Sequence, residues 1–576
     1  MHNQQIAEIF DEIADMLEVE EGEHRFEVLA YRKAALSLSG LTEDVSEIYG
    51  RLGINGLTEI PGIGKGLAGK IAEFLESGKM SKYTAMKRKY PLDFKNLTRI
   101  QGMGSKKAYR LYKEIGIKTV DDLKRAAEKH MIRSIAGFGE KSESDILKGI
   151  YLLQENQGRM PLGTALPEAQ DISRKLADSG LVERVEIAGS TRRMRETVGD
   201  IDILVTSGSP DKVMRFVSGI SNASGIVLSG PTKTTIRLKI GLNCDIRVVS
   251  DSSFAAALQY FTGNKDHNVK VREIAIKKGY KLNEYGLFDS RKKNLAGKDE
   301  ASIYRKLGMD IMPPEMREDR GEVELSLRHS LPEVISLGAI KGDMHVHTNH
   351  SDGVDSIADM AEYARREGRE YIGITDHTKS EYIAHGMSDM QFLKHFSEID
   401  KVAKSAKGIT LLKSAEIDIL KDGSLDLKKS TMEMMDYRLA AVHTSLGMAR
   451  QEMTARVVKA MESGYVDILA HPTGRLVNSR KPMDLDLERV FQAAEDNGVA
   501  LEIDGHPDRL DLNDENIMKA IKYKVMFSID TDAHSKSNLS YMKYGVSTAM
   551  RGWLGPDRVI NALSMEKLMK WISSRK

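Results

Sequence analysis

The segment Gly199-Asp200-Ile201-Asp202-Ile203 constrains this chain more than any other. In a β-strand, alternate side chains point to opposite faces, so Asp200 and Asp202 share one face while Ile201 and Ile203 enter a core. Two carboxylates this close repel each other unless a cation lies between them. The segment therefore predicts a strand of an α+β domain that binds divalent metal ions.

Two further features belong with this strand. The turn Gly189-Ser190 precedes it and offers backbone N–H groups and a hydroxyl to phosphate oxygens. A later predicted strand, 243–249, carries Asp245 and can supply a third carboxylate. In two-metal phosphoryl transfer, one ion activates the attacking oxygen and the other stabilises the leaving pyrophosphate. The alternative, a solvated strand edge with ordinary acids, does not explain why all these features occur together.

These motifs, with Tyr260-Phe261-Thr262-Gly263, Asn268, Arg272 and Asn283-Glu284-Tyr285-Gly286, resemble those of family X DNA polymerases such as polymerase beta. The resemblance extends from the N-terminus to about Asp319. It implies that Asp200, Asp202 and Asp245 are the catalytic ligands of Mg²⁺ ions. It also implies a nucleotide-binding set of Arg159, Gly189, Ser190, Arg193, Gly199, Tyr260, Phe261, Gly263, Lys265, Asn268 and Arg272.

Within that set the resemblance assigns distinct roles. Ser190, Arg193 and Arg159 hold the triphosphate, and Tyr260 and Phe261 face the sugar and discriminate against a ribose 2′-hydroxyl. Asn268 and Arg272 approach the nascent base pair and the template. Lys265 stands where polymerase beta has an acid facing the incoming base, so the base preference is not inherited.

Three apolar-Gly-x-Gly turns, at 60–64, 100–104 and 135–139, each precede a helical segment. They resemble helix-hairpin-helix elements, which present backbone N–H groups to a DNA phosphate. Residues 79–113 hold eleven Lys or Arg against one acid, which favours sequence-independent DNA binding. The predicted DNA contacts are Gly62, Gly64, Lys65, Gly102, Gly104, Lys106 and Lys107.

Lys70 aligns with the Schiff-base lysine of the polymerase beta deoxyribose-phosphate lyase. Tyr31 is retained, but Phe26, Glu27 and Gly66 occupy positions expected to bind the 5′-phosphate with basic or histidine side chains. Two interpretations of Lys70 stay open, a lyase nucleophile and a simple phosphate contact.

Beyond Pro313-Pro314 and a charged tail, apolar runs alternate with helix-length segments in the rhythm of a β/α barrel. Almost every predicted strand ends in His, Asp or Glu, at the barrel edge where such folds place their chemistry. Six histidines at strand ends cannot all be ordinary core residues. Mixed imidazole and carboxylate ligands suit Zn²⁺, Mn²⁺ or Fe²⁺.

This pattern, from about residue 340 onward, resembles the PHP (polymerase and histidinol phosphatase) family. The resemblance implies about three Mn²⁺ or Zn²⁺ ions and hydrolysis of a phosphoester. The implied ligands are His345, His347, Asp352, His377, Glu416, His443, His471, Asp532 and His534. Arg475 and Arg509 are candidates for binding phosphate oxygens, with surface salt bridges as the alternative. His350, His385, His395 and His506 lie outside the motif, and we expect most of them to face solvent.

The fold class is therefore multidomain: a helical helix-hairpin-helix region, an α+β nucleotidyltransferase palm and a (β/α)7-type PHP barrel. We divide the chain into a lyase-like helical domain (1–88), fingers (89–155), palm (156–250), thumb (251–319), linker (320–339) and PHP domain (340–576).

The predicted function is gap filling in DNA repair, with 3′→5′ exonuclease, 3′-end cleaning and abasic-site endonuclease activity in the barrel. The alternatives are a small-molecule phosphoesterase or pyrophosphatase in the barrel, and a non-catalytic DNA scaffold. The expected partners are gapped or primer-template DNA and dNTPs. Because Cys244 is the single cysteine and no apolar run reaches the ~18 residues of a membrane span, we expect a cytoplasmic protein. As a DNA-binding enzyme, it is also expected to be associated with the nucleoid and to act as a monomer.

Overall fold

The computed structural model describes residues 2–20, 24–39, 41, 43–98, 100, 103–155 and 158–574. Gly102, one of the predicted DNA contacts, lies outside these residues. No helix in the described ranges is both long and apolar enough to cross a membrane.

The N-terminal part is helical and has one core, formed by buried side chains between Ile6 and Ile150. Its three glycine turns share one geometry: the N–H of residue 63, 103 or 138 donates to the carbonyl three residues earlier, at 2.9–3.0 Å. A helix begins just after each turn. The helices are His2–Glu18 (α1), Arg25–Ser39 (α2), Val45–Thr58 (α3), Lys65–Ser77 (α4), Ser81–Lys89 (α5), Phe94–Leu97 (α6), Ser105–Ile115 (α7), Val120–Glu128 (α8) and Glu140–Glu155 (α9).

A five-stranded sheet follows, with the order β2-β4-β7-β6-β5. Strands β4 and β7 are parallel, and their register places Asp202 opposite Asp245. The strands predicted to carry Asp200, Asp202 and Asp245 are present. The edge strand β5 was not predicted, because its side chains are mostly exposed and show no alternation of buried and exposed positions. The elements are Met160–Pro161 (β1), Leu162–Asp178 (α10), Arg184–Ile187 (β2), Gly189–Arg192 (α11), Thr197–Val198 (β3), Asp200–Thr206 (β4), Pro210–Ser218 (α12), Ala223–Ser229 (β5), Lys233–Leu238 (β6) and Asn243–Val249 (β7).

A smaller α+β unit covers the next part of the chain. It contains Asp251–Thr262 (α13), Lys265–Lys277 (α14), Lys281–Asn283 (β8), Gly286–Phe288 (β9), Glu300–Lys306 (α15) and Glu322–Leu327 (α16). The charged tail after Pro314 packs against this unit: Arg317 and Glu322 are fully buried. Burial of charges requires partners, and Arg317 binds Glu300 while Glu322 binds His267.

The C-terminal part is a parallel barrel. Counting β12 and β13 as two halves of one interrupted strand, seven strands follow each other around it, and Val346 pairs with Ala533 to close the ring. The elements are Gly342–Val346 (β10), Ile357–Arg366 (α17), Tyr371–Ile374 (β11), Asp389–Ser405 (α18), Thr410–Lys413 (β12), Glu416–Asp418 (β13), Lys429–Met432 (α19), Leu439–Ala441 (β14), Arg450–Glu462 (α20), Ile468–Leu469 (β15), Leu487–Asn497 (α21), Ala500–Asp504 (β16), Asp514–Ala520 (α22), Phe527–Asp530 (β17), Met542–Arg551 (α23) and Met565–Ser573 (α24).

The barrel packs directly on the five-stranded sheet. Leu510 and Tyr544 of the barrel are buried in the same apolar cluster as side chains of α10 and β4. Gly163 at the start of α10 touches Pro507, and a Cβ atom added to this glycine would overlap the proline ring.

We predict that Gly163→Ala lowers the melting temperature of the full chain. Alanine has the better helix propensity, but overpacking against Pro507 should cost about 1–3 kcal/mol and outweigh it. Gly69→Ala in α4 is the matched control, because a Cβ atom there would meet nothing within 4 Å. Calorimetry showing the same melting temperature for both variants would contradict the tight packing at Gly163.

Candidate active sites

Asp200, Asp202 and Asp245 meet near the N-terminal starts of the paired strands β4 and β7. Asp245 is bound by neighbouring side chains: its Oδ2 lies 2.6 Å from Lys233 Nζ and 3.0 Å from Arg247 Nη2, and its Oδ1 accepts a hydrogen bond from Thr235. Sequence analysis missed these three partners, although the two-residue spacing of Asp245 and Arg247 places them on one strand face.

The electrostatics of this cluster favour a cation. Burial, together with the nearby charges of Asp200 and Asp245, raises the pKa of Asp202 to about 7. Burial also acts to raise the pKa of Asp245, but the hydrogen bonds from Lys233 and Thr235 hold that pKa below its usual value. Carboxylate oxygens are the ligands that Mg²⁺ prefers, so the residues fit the predicted magnesium site.

The phosphate turn lies directly against these carboxylates. Gly189 has a φ of 65°, and a Cβ atom on it would lie 2.5 Å from Asp202 Oδ2. Only glycine allows this approach in the left-handed region. Ser190 follows Gly189 in the short helix α11, one residue from this close approach to Asp202.

The two arginines predicted to bind the triphosphate are held in place. Arg159 donates from Nε to Thr197 Oγ1 at 3.0 Å and from Nη2 to the Thr197 carbonyl at 2.6 Å, and its Nη1 lies beside Gly199. Arg193 donates from Nε to Glu318 at 2.9 Å and from Nη1 to the Thr262 carbonyl. The structure thus brings Arg193 to the Thr262-Gly263 turn.

The end of α13 presents the predicted sugar-facing rings. Tyr260 and Phe261 pack edge to face with centroids 5.1 Å apart, and Arg247 lies 4.6 Å from the Phe261 ring. Asn268 donates to the Tyr260 carbonyl at 2.7 Å and accepts from Gln259 at 2.8 Å, which fixes its amide. Arg272 bonds the carbonyl of Asn268, and Lys265 is exposed at the start of α14.

The DNA-contact candidates lie at helix N-termini. Gly64 and Gly104 are the N-caps of α4 and α7, and a Cβ atom on either would point into open space. Lys65, Lys106 and Lys107 are exposed. These helices therefore present backbone N–H groups, with lysines nearby, to a phosphate.

The candidate lyase residue Lys70 lies beside Tyr31. Lys70 donates to the Gly66 carbonyl at 3.2 Å, and its Nζ lies 5.9 Å from the centre of the buried Tyr31 ring. Phe26 is 89% exposed. Both interpretations of Lys70, a lyase nucleophile and a phosphate contact, stay predictions.

In the barrel, the nine predicted metal ligands converge at one end. Glu416 lies at their centre, because its carboxylate oxygens are 2.8–3.4 Å from nitrogens of five histidines: His345, His347, His377, His443 and His471. Asp532 lies 3.1 Å from His347, and Asp352 lies 3.2 Å from His534.

The donor atoms form groups of the size that metal ions need. His347, Asp352, His377 and His534 form one group, His345, His347 and Asp532 a second, and His377, Glu416 and His443 a third. Several buried imidazole nitrogens, including both of His347, have no hydrogen-bond partner within the described chain. Buried nitrogens without partners are costly unless they bind metal, so the residues fit three transition-metal ions.

Backbone strain accompanies this cluster. His471 and Asp532 have positive φ values of 26° and 49°, which is unfavourable for residues with a Cβ atom. Strained backbone persists where the surrounding structure enforces it, and it concentrates at functional sites.

The cluster shifts the histidine pKa values in opposite directions. Burial acts to lower the pKa of His443 and of His534, but facing carboxylates raise each to about 10. Burial lowers the pKa of His347 to about 4 and that of His471 to about 3. Without metal, the site therefore carries both protonated and neutral imidazoles at neutral pH.

The two candidate phosphate-binding arginines differ in position. Arg509 lies at the cluster, with its Nε 3.3 Å from Asp532 and 3.3 Å from Asp504. For Arg475 the contacts favour the alternative, since its Nη2 binds Glu196, which precedes β3, and the Leu510 carbonyl, both at 2.7 Å. None of the described contacts of Arg475 is with a cluster ligand, so it forms a salt bridge between the barrel and the palm segment.

Other residues behind the ligands were not predicted. Glu502 accepts from His345 Nδ1 at 2.6 Å, and Asp418 lies 3.5 Å from His443 Nδ1. Such carboxylates fix the imidazole orientation. The expectation that His395 faces solvent is wrong: it is 2% exposed and lies 3.0 Å from the buried Asp376. His385 is exposed as expected, whereas His350 and His506 are half-buried.

Four protein-family models match parts of the chain. They are a helix-hairpin-helix domain over residues 1–80, a SAM-like helix-hairpin-helix tandem over 94–150, the DNA polymerase beta thumb over 257–318 and the PHP domain over 343–510.

Whole-chain similarity extends further. The DNA polymerase/3′-5′ exonuclease PolX of Bacillus subtilis (strain 168) is 35% identical over 569 residues, which is 98% of each chain. A probable phosphatase of Acetivibrio thermocellus is 30% identical over 168 residues, covering 28% of this chain and 65% of its own length. The structure of Leishmania infantum polymerase beta in a ternary P/T complex covers 39% of this chain and 97% of its own, with 24% identity and a TM-score of 0.27.

We predict that Mn²⁺ binding to the metal-free barrel releases protons at pH 7.5. His443 and His534, with pKa values of about 10, are protonated there, and an imidazole must lose its proton to bind a metal. At least about two protons per chain should be released, since facing carboxylates also raise the pKa of His345 well above its ordinary value, and affinity should rise with pH up to about 10. Calorimetry in buffers of different ionisation enthalpy measures the release; binding that takes up protons or exchanges none would contradict it.

Proposed function

Because the chain belongs to the family X DNA polymerases that carry a C-terminal PHP domain, we propose that it fills short gaps in DNA and trims 3′ ends. The observation that carries the proposal is that one chain holds both a complete carboxylate triad beside a phosphate turn and a nine-ligand histidine-rich cluster. A scaffold without catalytic activity would not need either set of costly groups.

The proposed division of labour follows the six segments defined from sequence. Residues 1–88 and 89–155 bind DNA, 156–250 form the palm, 251–319 the thumb, 320–339 a linker and 340–576 the PHP domain. The apolar clusters follow this division in part: one core joins the first two segments, a second lies in the palm with Leu510 and Tyr544 of the barrel, and the thumb and the barrel each have a cluster that takes in a linker residue. The first half of the linker packs on the thumb through Val323.

In the palm, Asp200, Asp202 and Asp245 would hold two Mg²⁺ ions. Bound Mg²⁺ supplies electrostatic stabilisation of the attacking primer oxygen and of the pyrophosphate. The chain's own part is to bind and orient: Ser190, Arg193 and Arg159 hold the triphosphate. Lys233 and Arg247 keep Asp245 ionised until the ions arrive.

Selection of the nucleotide is assigned to the end of α13. Tyr260 and Phe261 pack against each other and against Arg247, so the wall facing the sugar is rigid. Asn268 is fixed by Gln259 and the Tyr260 carbonyl, which suits it to contact the nascent pair. Arg272 approaches the template, and the exposed Lys265 offers a cation to the incoming base.

In the barrel, the nine ligands would hold about three Mn²⁺ or Zn²⁺ ions. Such ions supply a nucleophile at neutral pH and stabilise charge on the phosphate. Glu502 and Asp418 orient the imidazoles of His345 and His443, and Arg509 is the candidate for binding a non-bridging phosphate oxygen. Abasic-site cleavage and lyase activity through Lys70 stay predictions.

The barrel alone is also compatible with a small phosphomonoester, since it is similar to the probable phosphatase of Acetivibrio thermocellus. Release of inorganic phosphate from small phosphomonoesters faster than nucleotides from DNA would favour that alternative. The proposed partners remain gapped or primer-template DNA and dNTPs, with the chain acting as a monomer at the nucleoid.

We predict that the two activities separate by mutation. Asp245→Asn should reduce primer extension on gapped DNA by at least about 10³-fold, because it removes a charged metal ligand, and should leave Mn²⁺-dependent 3′-end degradation intact. His377→Asn should reduce Mn²⁺-dependent 3′-end degradation by a similar factor and leave primer extension intact. Both activities are measured on the same full-length preparations.

Two surface variants serve as controls. Asp211→Asn changes an exposed acid of α12, and His385→Asn changes an exposed histidine whose φ of 59° asparagine tolerates. Both should keep both activities. If degradation survives His377→Asn in a nuclease-free preparation, the barrel is not the nuclease.

A second prediction concerns DNA binding by the α7 turn. Replacing Lys106 and Lys107 with alanine should weaken affinity similarly for all sequences, because each lysine neutralises one phosphate. The slope of log affinity against log salt should become shallower by about two. Fluorescence anisotropy at several salt concentrations measures it, and an unchanged slope would remove these lysines from the interface.

A further inference from the structure

Side chains of the barrel contact the backbone of both arginines assigned to the triphosphate. Asn478 donates from Nδ2 to the Arg159 carbonyl at 3.2 Å. Arg551, at the end of α23, donates from Nη1 to the Arg193 carbonyl at 3.1 Å. These contacts cross more than 300 residues of sequence.

Arg551 also reaches the side chain of Arg193 through a shared acid. Glu318 Oε1 accepts from Arg193 Nε at 2.9 Å and from Arg551 Nη1 at 3.0 Å. The three side chains are nearly buried, with exposed fractions of 12% for Arg193, 9% for Glu318 and 4% for Arg551. The other arm of Arg551 is anchored on Asp514 of the barrel.

This arrangement fixes the guanidinium of Arg193 in a defined plane. Its Nε is bound by Glu318 and its Nη1 by the Thr262 carbonyl, and no hydrogen bond in the described part of the chain uses its Nη2. A guanidinium held on one edge loses little further freedom when the other edge binds a phosphate oxygen. Orientation is therefore established before the nucleotide arrives.

Further contacts join the barrel to the rest of the chain near these arginines. Arg475 pairs with Glu196 at 2.7 Å, close in sequence to Arg193, and Arg320 lies 3.1 Å from Asp514. Leu510 and Tyr544 join the palm's apolar cluster. Ion pairs and apolar packing together favour one relative position of the two parts.

We propose that the PHP barrel positions the triphosphate site of the polymerase, with Arg551 and Asn478 as positioning residues for Arg193 and Arg159. The inference rests on the proposed function, because it assumes that these arginines bind the triphosphate. It makes the barrel a structural component of nucleotide binding in addition to its own phosphoesterase role. Neither Arg551 nor Asn478 contacts a ligand of the barrel's metal cluster among the described contacts.

The test is steady-state incorporation on gapped DNA by the full-length chain, with the dNTP concentration varied. Arg551→Met and Asn478→Gly should each raise KM for dNTP, Arg551→Met by about tenfold, while kcat changes by less than about twofold. Glycine is chosen because Asn478 has a φ of 60°. The inhibition constant for inorganic pyrophosphate should rise in parallel, and Arg551→Lys should lie between wild type and Arg551→Met.

Arg365→Gln is the matched control, because it removes an arginine–glutamate pair within α17 of the barrel, whose described partners do not include Arg159 or Arg193, and it should keep the wild-type KM. Exonuclease activity on single-stranded DNA reports whether each variant barrel is folded. If Arg551→Met fails that check, Asn478→Gly decides the question. A wild-type KM for dNTP in a folded Arg551→Met or Asn478→Gly variant overturns the inference, and so does a KM in Arg365→Gln that rises as much as in Arg551→Met. Absence of incorporation by the wild-type chain would instead overturn the proposed function.

Discussion

Both sites depend on one constraint, which is that carboxylates are held closer together than their mutual repulsion allows without cations. In the palm, burial and the nearby charges of Asp200 and Asp245 raise the pKa of Asp202 to about 7. In the barrel, Glu416 is surrounded by five histidines whose protons partly compensate its charge. Bound divalent ions offset the electrostatic repulsion within such clusters, and the scaffold holds together ligands that would otherwise move apart.

The two sites meet this constraint with different scaffolds. The palm uses parallel pairing of β4 and β7, which sets Asp202 and Asp245 side by side through backbone hydrogen bonds alone. The barrel uses the convergence of parallel strand ends and completes the site with strained backbone at His471 and Asp532. A regular strand cannot direct all nine donors to one point, so the barrel accepts local strain that its packed core enforces.

Charged and apolar contacts together join the barrel to the rest of the chain. The pairs Arg475–Glu196, Arg551–Glu318 and Arg320–Asp514 each join parts that are distant in sequence. Of these, Arg551–Glu318 is buried, and removing one partner of a buried pair leaves an uncompensated charge. This pair matters for the nucleotide site because Glu318 also binds Arg193.

The sequence by itself predicted which acids and histidines would come together, because period-two alternation and strand-end placement are local rules and the family resemblances named the same residues. It also determined the three glycine turns and the order of the parts, which the PHP, thumb and helix-hairpin-helix matches confirm. Local rules do not reach partners chosen by packing. Burial of His395 against Asp376, pairing of Arg475 with Glu196 and the edge position of β5 followed from contacts that only the folded chain creates. The support given by Arg551 to Arg193 spans 358 residues, and only tertiary structure decided it, because the geometry of two separate domains had to bring both arginines to one carboxylate.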